Sequence, residues 1–562
     1  MKKMKSIAIA GLTGQGIETA GEIISSVVNS LGYSHRSWRD FSTIIRGGYT
    51  SFEIYISEKD SQTPLPRIEK IDLAIVWDNQ GVDNYKLRIK DNKMMFGSSK
   101  ATTLLSGNQF EVPNLGYNVW CVGVISGYLG IHIDYIEKEV MVKFRSESNL
   151  KLLREGYKLG KQVETEVPLI NLNSNNITIS GNDALSLGAI SGDVRHYYGY
   201  PITPASEILE NLSKWLPSLG GQAYQVEDEI AAIHAAIGCS YAGKRTFVAT
   251  SGPGLALMTE GLSYAATTEI PLVIIDNQRG GPSTGMPTKT EQSDLQHLKN
   301  AGHGEFARIL LTPTSIIDCI VTMQEALNLA DYYQCPVIIA LDLDLAVRNI
   351  SIPWSLVENA LQSVEVDRGP TLTNLNTTIE SYVRYKPQAD HSPPLRSIPG
   401  IKGGAYVASG DEHDERGWME PNFMEIRKTL HKRRLQKADK IDYKRHFTRI
   451  GNSEAPIMII GTGSIGELIE YFVKNNDGFQ GLLIRQLVPI PQEELLMALT
   501  NLEKVIVAEY NATGQIRTII KDVIQDKEIL SLLRFDGEHY TNEEFEEAVV
   551  HILNKKNKVY QF

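Results

Sequence analysis

The feature that most constrains the fold is a repeated pattern of a short apolar run, a glycine-rich turn and a stretch with helical spacing. The turns lie at residues 11–16, 251–254 and 461–466. A short apolar run bounded by a glycine turn indicates a buried strand, and apolar residues at helical spacing indicate an amphipathic helix. Strands that alternate with helices form parallel sheets covered by those helices. We therefore predict an α/β protein built on parallel sheets.

The length of the chain requires more than one domain. A single hydrophobic core stops growing at roughly 250–300 residues, and this chain has 562. A polar run at residues 171–176 and a segment rich in proline and charge at residues 366–445 interrupt the pattern. We predict domains at residues 1–170, 177–365 and 446–562, with residues 366–445 as a linker.

Composition excludes several classes of protein. A net charge of −11 argues against a general nucleic-acid binder, and no window approaches twenty uninterrupted apolar residues, so we predict no membrane span. The N-terminal residues lead directly into a strand-like run instead of a signal-peptide core. The four cysteines form no C-x-x-C pair and indicate no cluster or disulfide framework. We predict a cytoplasmic protein.

The first glycine turn suggests an anion contact. Gly14 and Gly16 would let a phosphate approach the amides of the following helix, and Arg46, which precedes two glycines, could present a guanidinium to it. The order of glycines is not G-x-G-x-x-G, and no ribose-binding acid follows at the expected distance. A structural turn and a nucleotide or phosphate contact both remain open, and Arg46 could equally pair with an acid of its own chain.

The central domain contains a turn with two prolines that bracket Ile202 and Thr203. Proline fixes its own φ and restricts the residue before it, so this turn would hold Thr203 at its tip. The alternative is a helix start, with Thr203 as N-cap and Pro204 in the first turn. Thr203 by itself does not decide between them.

Three acids, Glu227, Asp228 and Glu229, stand at the start of a predicted helix about twenty residues later. Acids at a helix N-terminus are explained by the helix dipole alone. A catalytic carboxyl is the other interpretation, because the helix that follows has a face of small residues that a flat ring could approach.

A long loop follows the most apolar predicted strand. Residues 277–295 are too many for a simple connection, and ligands bind at the carboxyl ends of parallel strands. Arg279 and Lys289 within this loop could each neutralise a carboxylate.

The linker and the last domain contain two further patterns. His413 lies among four acids, but consecutive residues point in different directions, so we predict a surface or subunit-contact loop and not a metal site. The turn at residues 461–466 allows a nucleotide interpretation, while an organising domain at a subunit interface is the alternative.

These motifs resemble, in order along the chain, the alpha subunits of 2-oxoacid:ferredoxin oxidoreductases, and the loop is most similar to the 2-oxoglutarate type. The resemblance covers residues 200–204, 227–238, 251–254 and 278–295, with a first domain like the family's gamma domain, in which Thr13 replaces a usual glycine. It implies a Rossmann-like gamma domain, a thiamin diphosphate-binding domain of the pyrimidine type and a transketolase C-terminal-like domain.

The resemblance also implies roles for individual residues. Glu229 is in register with the family pattern E-x-x-A-x-x-x-A-x-G, and Glu227 is not. Its carboxyl would bond to the aminopyrimidine ring of thiamin diphosphate, and burial would keep it protonated. Thr203 with Lys289, or Arg279 as second choice, would hold the substrate carboxylate. The implied cofactor contacts are Tyr200, Pro201, Ile202, Glu229, Ser251, Gly252 and Pro253.

One half of the expected site is missing from the sequence. Thiamin diphosphate needs a metal, usually held by a Gly-Asp-Gly turn, and residues 192–194 and 410–412 do not match it. The resemblance implies a beta subunit that carries Mg²⁺ and a [4Fe-4S] cluster, with ferredoxin and coenzyme A (CoA) as further partners. The implied reaction converts 2-oxoglutarate and CoA to succinyl-CoA, CO₂ and reduced ferredoxin. Pyruvate or a branched-chain oxoacid as substrate, and a non-catalytic dinucleotide-binding scaffold, are the alternatives.

Overall fold

The computed structural model describes residues 5–41, 48–57, 67–90, 95–97, 113, 116–162, 169–170, 175–388, 392–419, 423–524, 528–554 and 558–562. Contacts between Cα atoms divide the chain into two compact units. Unit 1 comprises residues 1–180, 347–357 and 539–550, and unit 2 comprises residues 181–346, 358–538 and 551–562. Among the residues described, no helix combines the length and apolar character needed to cross a membrane.

Unit 1 contains a mixed seven-stranded sheet. The first strand, Lys5–Leu12, confirms the prediction from the apolar run; it pairs in parallel with Leu73–Val76 and antiparallel with Tyr49–Ser57. Across the sheet the order is Met95–Gly97, Leu73–Val76, Lys5–Leu12, Tyr49–Ser57, Ser34–Phe41, Asn349–Pro353 and Asn176–Ile179. The helices of this unit are Ile17–Ser30, Asn79–Tyr85, Tyr117–Tyr128, Ile133–Phe144 and Glu147–Lys161.

Two strands of this sheet differ from the sequence expectation. Asn349–Pro353 pairs antiparallel with both Ser34–Phe41 and Asn176–Ile179, so residues 347–357 belong to unit 1 although they lie within the range predicted for the central domain. Asn176–Ile179 likewise lies in this sheet, and unit 2 begins at residue 181, whereas the central domain was predicted to begin at residue 177. Both differences arise because each strand pairs with a strand that is far from it in the sequence.

Helices Tyr117–Tyr128 and Glu147–Lys161 touch along their backbones. A Cβ added at Gly123 would lie 2.2 Å from the Leu153 carbonyl oxygen, and one at Gly160 would lie 2.1 Å from the Val124 carbonyl oxygen. Glycine is therefore required where each helix meets the other. The apolar face of this pair completes the core of unit 1 beneath the sheet.

Unit 2 contains the predicted central parallel sheet. Leu272–Gln278 lies between Phe247–Thr250 and Pro336–Asp342, parallel to both, and all of its residues are buried. This confirms the interior position predicted from its apolar sequence. The order across the sheet is Gln486–Val488, Ile309–Leu311, Pro336–Asp342, Leu272–Gln278 and Phe247–Thr250, and His196–Gly199 pairs with Gln222–Gln225 in a separate ribbon.

A second sheet of unit 2 is formed by residues 447–561. Its six strands are Phe447–Gly451, Phe479–Ile484, Ile457–Gly461, Lys504–Glu509, Ile529–Leu533 and Val559–Gln561. Strand Gln486–Val488 of this region joins the central sheet, antiparallel to Ile309–Leu311. Buried residues of both sheets form one hydrophobic core, for example Ile274 and Ile460. The predicted α/β class is confirmed.

Helices cover these sheets. The helices of unit 2 are Gly181–Ser191, Ser206–Trp215, Leu216–Leu219, Glu229–Tyr241, Gly252–Thr268, Leu295–Asn300, Ile316–Tyr333, Phe423–Ile426, Arg427–His431, Lys432–Gln436, Ala438–Lys440, Ile465–Lys474, Gln492–Ala498 and Gln515–Ile520. Three further helices are Leu343–Val347, Trp354–Gln362 and Asn542–Asn554.

The linker is packed against the rest of unit 2. Arg433 and Lys437, near the end of the linker, both pair with the fully buried Glu269, with a Lys437 Nζ to Glu269 Oε2 distance of 2.5 Å. The two cations hold the pKa of Glu269 well below its usual range against the opposing effect of burial. These two basic residues of the linker therefore form ion pairs inside unit 2.

Candidate active site

The three acids that open helix Glu229–Tyr241 differ in their surroundings. Glu227 is exposed, Asp228 is the N-cap and accepts a hydrogen bond from the Ala231 amide at 2.7 Å, and Glu229 is buried with 7% exposure. A Cβ added at Gly254 would lie 2.8 Å from both Cγ and Oε1 of Glu229. Glycine at this position lets the Glu229 carboxyl lie against the first turn of helix Gly252–Thr268.

A second carboxyl group, that of Asp294, lies against the turn that opens helix Gly252–Thr268. A Cβ added at Gly252 would lie 2.7 Å from Oδ2 of Asp294. Ser251 is fully buried, and its hydroxyl has no hydrogen-bond partner within the described part of the chain. A buried hydroxyl without a partner is costly unless a ligand completes it. The turn thus brings Glu229, Ser251 and Asp294 to one place.

The proline turn is held by the end of the central strand. Asn277 donates a hydrogen bond from Nδ2 to Oδ1 of Asn182 at 2.8 Å, and Asn182 donates from Nδ2 to the Pro204 carbonyl at 2.9 Å. The helix begins at Ser206 with Ala205 as N-cap, so the interpretation of Thr203 as N-cap is wrong. Thr203 lies one turn before the helix. Of the predicted cofactor contacts in this turn, Tyr200 and Pro201 are exposed and Ile202 is half-buried.

Arg279 lies beside Thr203. Its guanidinium donates a hydrogen bond from Nη1 to the Thr203 carbonyl at 2.6 Å, and the residue is 7% exposed. Burial lowers the pKa of Arg279, while the carboxyls of Asp294 and Asp276 oppose that shift. Arg279, the second choice as the basic partner of Thr203, is therefore its neighbour in the structure.

Lys289 points to a different group. Its ammonium lies 2.7 Å from Oε1 of Glu538, in the segment after the last core strand of the second sheet. The main chain of Lys289 remains close to the site, because its carbonyl accepts a hydrogen bond from the Gly280 amide at 3.0 Å. The sequence analysis did not anticipate Glu538.

Asp276 is a second residue that the sequence analysis missed. It is fully buried at the end of strand Leu272–Gln278, and neither of its carboxyl oxygens has a hydrogen-bond partner among the described residues. Burial, and then the charge of Asp294, raise the pKa of Asp276 well above its usual range. Burial and Glu291 raise the pKa of Asp294 to about 6. An aspartate that ends an otherwise apolar strand was the available sequence signal.

The loop between the central strand and helix Leu295–Asn300 is bonded to the second sheet. Gln292 donates from Nε2 to Oδ2 of Asp342 and to the Thr462 carbonyl, both at 2.9 Å, and its amide donates to the Tyr510 carbonyl at 2.6 Å. Gln515 donates from Nε2 to the Ser293 carbonyl at 2.6 Å. The second sheet therefore holds the carboxyl-terminal part of the site loop.

The glycine turn of the second sheet is filled by the protein itself. Oδ2 of Asp342 accepts a hydrogen bond from the Ser464 amide at 2.8 Å, and a Cβ added at Gly463 would lie 2.2 Å from that oxygen. Because a side-chain carboxylate occupies the place where a phosphate would bind, the nucleotide interpretation of this turn is not favoured.

The glycine turn of unit 1 is different. Gly14 and Gly16 have positive φ values of 93° and 79°, and Gly16 is the N-cap of helix Ile17–Ser30, with no side-chain cap. Gln15 folds back so that its Oε1 accepts a hydrogen bond from the Leu12 amide at 2.8 Å. Arg46, the predicted cationic partner of this turn, lies outside the described residues.

His413 is buried, but Asp411, Glu415 and Arg416 around it are exposed, so the segment lies at the surface as predicted and only the histidine side chain packs inward. Its ring stacks on Tyr385 with a centroid distance of 4.2 Å, and Nδ1 lies 2.9 Å from the Asp414 carbonyl. Glu412 pairs with Arg427 at 2.8 Å and with Arg434. The acids of this segment therefore contact different groups. The four cysteines are free, three of them buried.

Comparison with known proteins identifies the family. Residues 187–418 match the family described as "Pyruvate flavodoxin/ferredoxin oxidoreductase, thiamine diP-bdg", and residues 6–159 match "Pyruvate ferredoxin/flavodoxin oxidoreductase". The chain is 30% identical to a 2-oxoacid:ferredoxin oxidoreductase subunit alpha from a Sulfolobus species, over 98% of both chains. It is 35% identical to the 2-oxoglutarate synthase subunit KorA of Methanothermobacter marburgensis, over 67% of this chain and 97% of that one.

A solved structure agrees. The 2-oxoglutarate:ferredoxin oxidoreductase from Magnetococcus marinus, with 2-oxoglutarate, coenzyme A and succinyl-CoA bound, superposes with a TM-score of 0.85 at 28% identity. The match covers 98% of this chain and all of the other. The chain belongs to the 2-oxoacid:ferredoxin oxidoreductase family, as an alpha subunit with a thiamin diphosphate-binding domain.

Proposed function

We propose that this subunit belongs to an enzyme that oxidises 2-oxoglutarate with CoA to succinyl-CoA and CO₂ and reduces ferredoxin. The observation that carries the proposal is the buried Glu229 carboxyl against Gly254, in the register that the family uses. The substrate assignment rests on the names of the Methanothermobacter and Magnetococcus relatives.

The residues around Glu229 fit the pyrimidine half of thiamin diphosphate. The Glu229 carboxyl and the buried Ser251 hydroxyl, neither of which has a hydrogen-bond partner among the described residues, are polar groups that a flat heterocycle could contact. The bound cofactor would supply the carbanion chemistry that decarboxylation of a 2-oxoacid requires. We assign Glu229 to form the hydrogen bond to the ring nitrogen of the bound cofactor, the role that the family register implies for it.

The predicted contacts divide between cofactor and substrate. We assign Tyr200, Pro201, Ile202, Ser251, Gly252 and Pro253 to the cofactor, as the family resemblance implies; the last three belong to the turn that Glu229 lies against. We assign Thr203 and Lys289 to the substrate carboxylates. Arg279, which donates to the Thr203 carbonyl, would hold that residue in place and is the second candidate for a direct contact.

The other parts of the reaction require partners. We propose that a beta subunit supplies Mg²⁺ for the diphosphate and the [4Fe-4S] cluster that passes electrons to ferredoxin. In unit 1, the uncapped first turn of helix Ile17–Ser30 at Gly14 and Gly16 would receive a phosphate of CoA, with Arg46 as its partner. The free cysteines fit a reducing compartment, and we place the enzyme in the cytoplasm.

The test is an assay of the purified complex. The chain and its co-isolated partner should reduce ferredoxin in a reaction that needs thiamin diphosphate, CoA and 2-oxoglutarate. Glu229→Gln should lower the rate by about 100-fold or more, the scale of a lost proton-transfer group. Glu227→Gln is the matched control, because Glu227 is exposed two residues away.

Each outcome decides one point. A higher kcat/KM with pyruvate or a branched-chain oxoacid would replace 2-oxoglutarate as the substrate. Turnover of no oxoacid, or a Glu229→Gln enzyme as active as wild type, would refute the mechanism and leave the scaffold interpretation.

A further inference from the structure

The ion pair between Lys289 and Glu538 has a rigid acidic side. Asp536 accepts hydrogen bonds from Nε and Nη2 of Arg534 at 2.9 and 3.1 Å, and its Oδ1 also accepts one from the Glu538 amide at 2.9 Å. The Arg534 guanidinium lies over the ring of Phe562, 4.7 Å from its centroid. These contacts fix the turn at residues 534–538, so Glu538 is presented from a defined backbone and not from a loose chain.

Gly537 brings this turn against the site loop. It has a φ of 78°, and an added Cβ would lie 2.7 Å from Cβ and 3.1 Å from Cγ of Lys289. A side chain at residue 537 would thus push Lys289 away, and the positive φ itself favours glycine. The side chain of Lys289 is directed to Glu538 by this contact as well as by charge.

The pair is accessible. The side chains of Lys289 and Glu538 are 22% and 38% exposed, so water reaches both. Ion pairs of this exposure are weak, because solvent screens the attraction and two long side chains must be held still. A second carboxylate that reached the Lys289 ammonium would therefore meet little resistance from Glu538.

We propose that Glu538 is a specificity-determining residue, an internal carboxylate that holds the Lys289 ammonium until the far carboxylate of a dicarboxylic 2-oxoacid takes its place. This inference rests on the proposed function, in which Lys289 binds the substrate. A monocarboxylic oxoacid has no second carboxylate to exchange with Glu538, so it would leave the pair intact. Glu538 therefore lowers affinity only for the substrates that need Lys289.

The site loop and the turn at residues 534–538 contain other acids besides Glu538. Glu291, in the same loop, is 8% exposed, and burial raises its pKa, as does the nearby charge of Asp536. With the substrate absent, an unpaired Lys289 would be drawn to these acids. Pairing with Glu538 keeps its ammonium in one position.

The test compares three variants in the complex. Glu538→Gln keeps the shape and removes the charge, so the ratio of kcat/KM for 2-oxoglutarate to that for pyruvate should rise about five-fold. Lys289→Gln should raise the KM for 2-oxoglutarate, and the double variant should behave like Lys289→Gln, because the competing carboxylate has no cation to occupy. Glu528→Gln, an exposed acid before strand Ile529–Leu533, is the control.

Inhibitors give a second measurement that does not need turnover of pyruvate. The inhibition constant of succinate, a dicarboxylate, should fall in Glu538→Gln relative to that of butyrate, a monocarboxylate of the same length. A parallel change for both inhibitors, or a higher KM for 2-oxoglutarate in Glu538→Gln, would overturn the inference. If wild type does not turn over 2-oxoglutarate, the proposed function fails; if it does and the variants do not discriminate, only this inference fails.

Discussion

Two buried carboxyl groups in unit 2 lie against glycines of helix-opening turns, yet they differ in their hydrogen bonds. Asp342 lies against Gly463, and its oxygens accept from Ser464, Gln292 and Leu345 at 2.8, 2.9 and 3.0 Å. Glu229 lies against Gly254, and no described residue donates a hydrogen bond to its carboxyl. A buried carboxyl with all its donors is part of the scaffold, whereas one without them is available to a ligand.

The two turns therefore begin with the same pattern and end with different roles. In the turn at residues 461–466 the protein supplies its own anion. In the turn at residues 251–254 no described residue donates a hydrogen bond to the Glu229 carboxyl, so its acceptors are available to a ligand.

The largest expected effect comes from Gly254→Ala. The added Cβ would lie 2.0 Å from Oγ1 of Thr250 and 2.8 Å from Oε1 of Glu229, so the carboxyl must move. Because catalysis depends on positions to within about 1 Å, we expect kcat/KM to fall by about 100-fold. Ferredoxin reduction and the affinity for thiamin diphosphate are the measurements.

Gly238→Ala is the matched control for that variant. Gly238 lies in helix Glu229–Tyr241, and its added Cβ meets nothing within 4 Å. Alanine there should raise stability by about 0.5–1 kcal/mol, the usual difference between the two residues in a helix. If both glycine variants keep full activity, the close approach of Glu229 to Gly254 has no catalytic role.

An intermediate effect is expected from Asp342→Ala. The substitution leaves the Ser464 and Leu345 amides and the Gln292 amide group without their acceptor. Unsatisfied buried donors cost about 1–3 kcal/mol each when they cannot reach water, so we expect a loss of about 2 kcal/mol in the free energy of unfolding.

Thermal denaturation of the complex would measure this loss, with Gly463→Ala as a second variant. Its Cβ would lie 2.2 Å from the same Asp342 oxygen, so it should destabilise the same contact. A melting temperature equal to that of wild type in both variants would show that the filled turn does not stabilise the scaffold.

The smallest expected effect is a pH dependence of stability that comes from the Asp294 carboxyl. This carboxyl lies against Gly252, and burial and Glu291 raise its pKa to about 6, while Arg279 opposes the shift. A folded-state pKa above the unfolded value means that the ionised form is the unfavourable one, so the penalty is full above pH 6 and disappears as the pH falls toward 4.

Asp294→Asn should therefore stabilise the complex at pH 7 by about 1 kcal/mol and have little effect near pH 4. Melting temperatures of wild type and variant between pH 4 and pH 8 would check the sign. A stabilisation that is constant over this range would contradict a titrating Asp294.

The sequence was sufficient to predict an element or a site residue where the local pattern and the family register agree. The apolar run before the long loop is the interior strand Leu272–Gln278, and Glu229 is the buried one of the three acids at residues 227–229. In each case the deciding property lies within one element.

The rest depended on partners far along the chain. Strand Ser34–Phe41 is polar and shows no alternation, and it is a strand because its two neighbours in the sheet pair with it. Glu538 is 249 residues from Lys289, and the absence of donors around Asp276 exists only in the folded protein. Local periodicity contains no information on such contacts.

The division of unit 1 among three segments has a consequence for synthesis. Its sheet needs strand Asn349–Pro353, and the Asn542 amide donates a hydrogen bond to the Arg67 carbonyl at 2.8 Å. Residues 539–550 of this unit are translated only after most of unit 2. Domains generally fold as units during translation, N-terminal first. Unit 1, although it contains the first residues made, would then be the last to reach its final packing, and strand Ser34–Phe41 would have one unpaired edge until strand Asn349–Pro353 has been made.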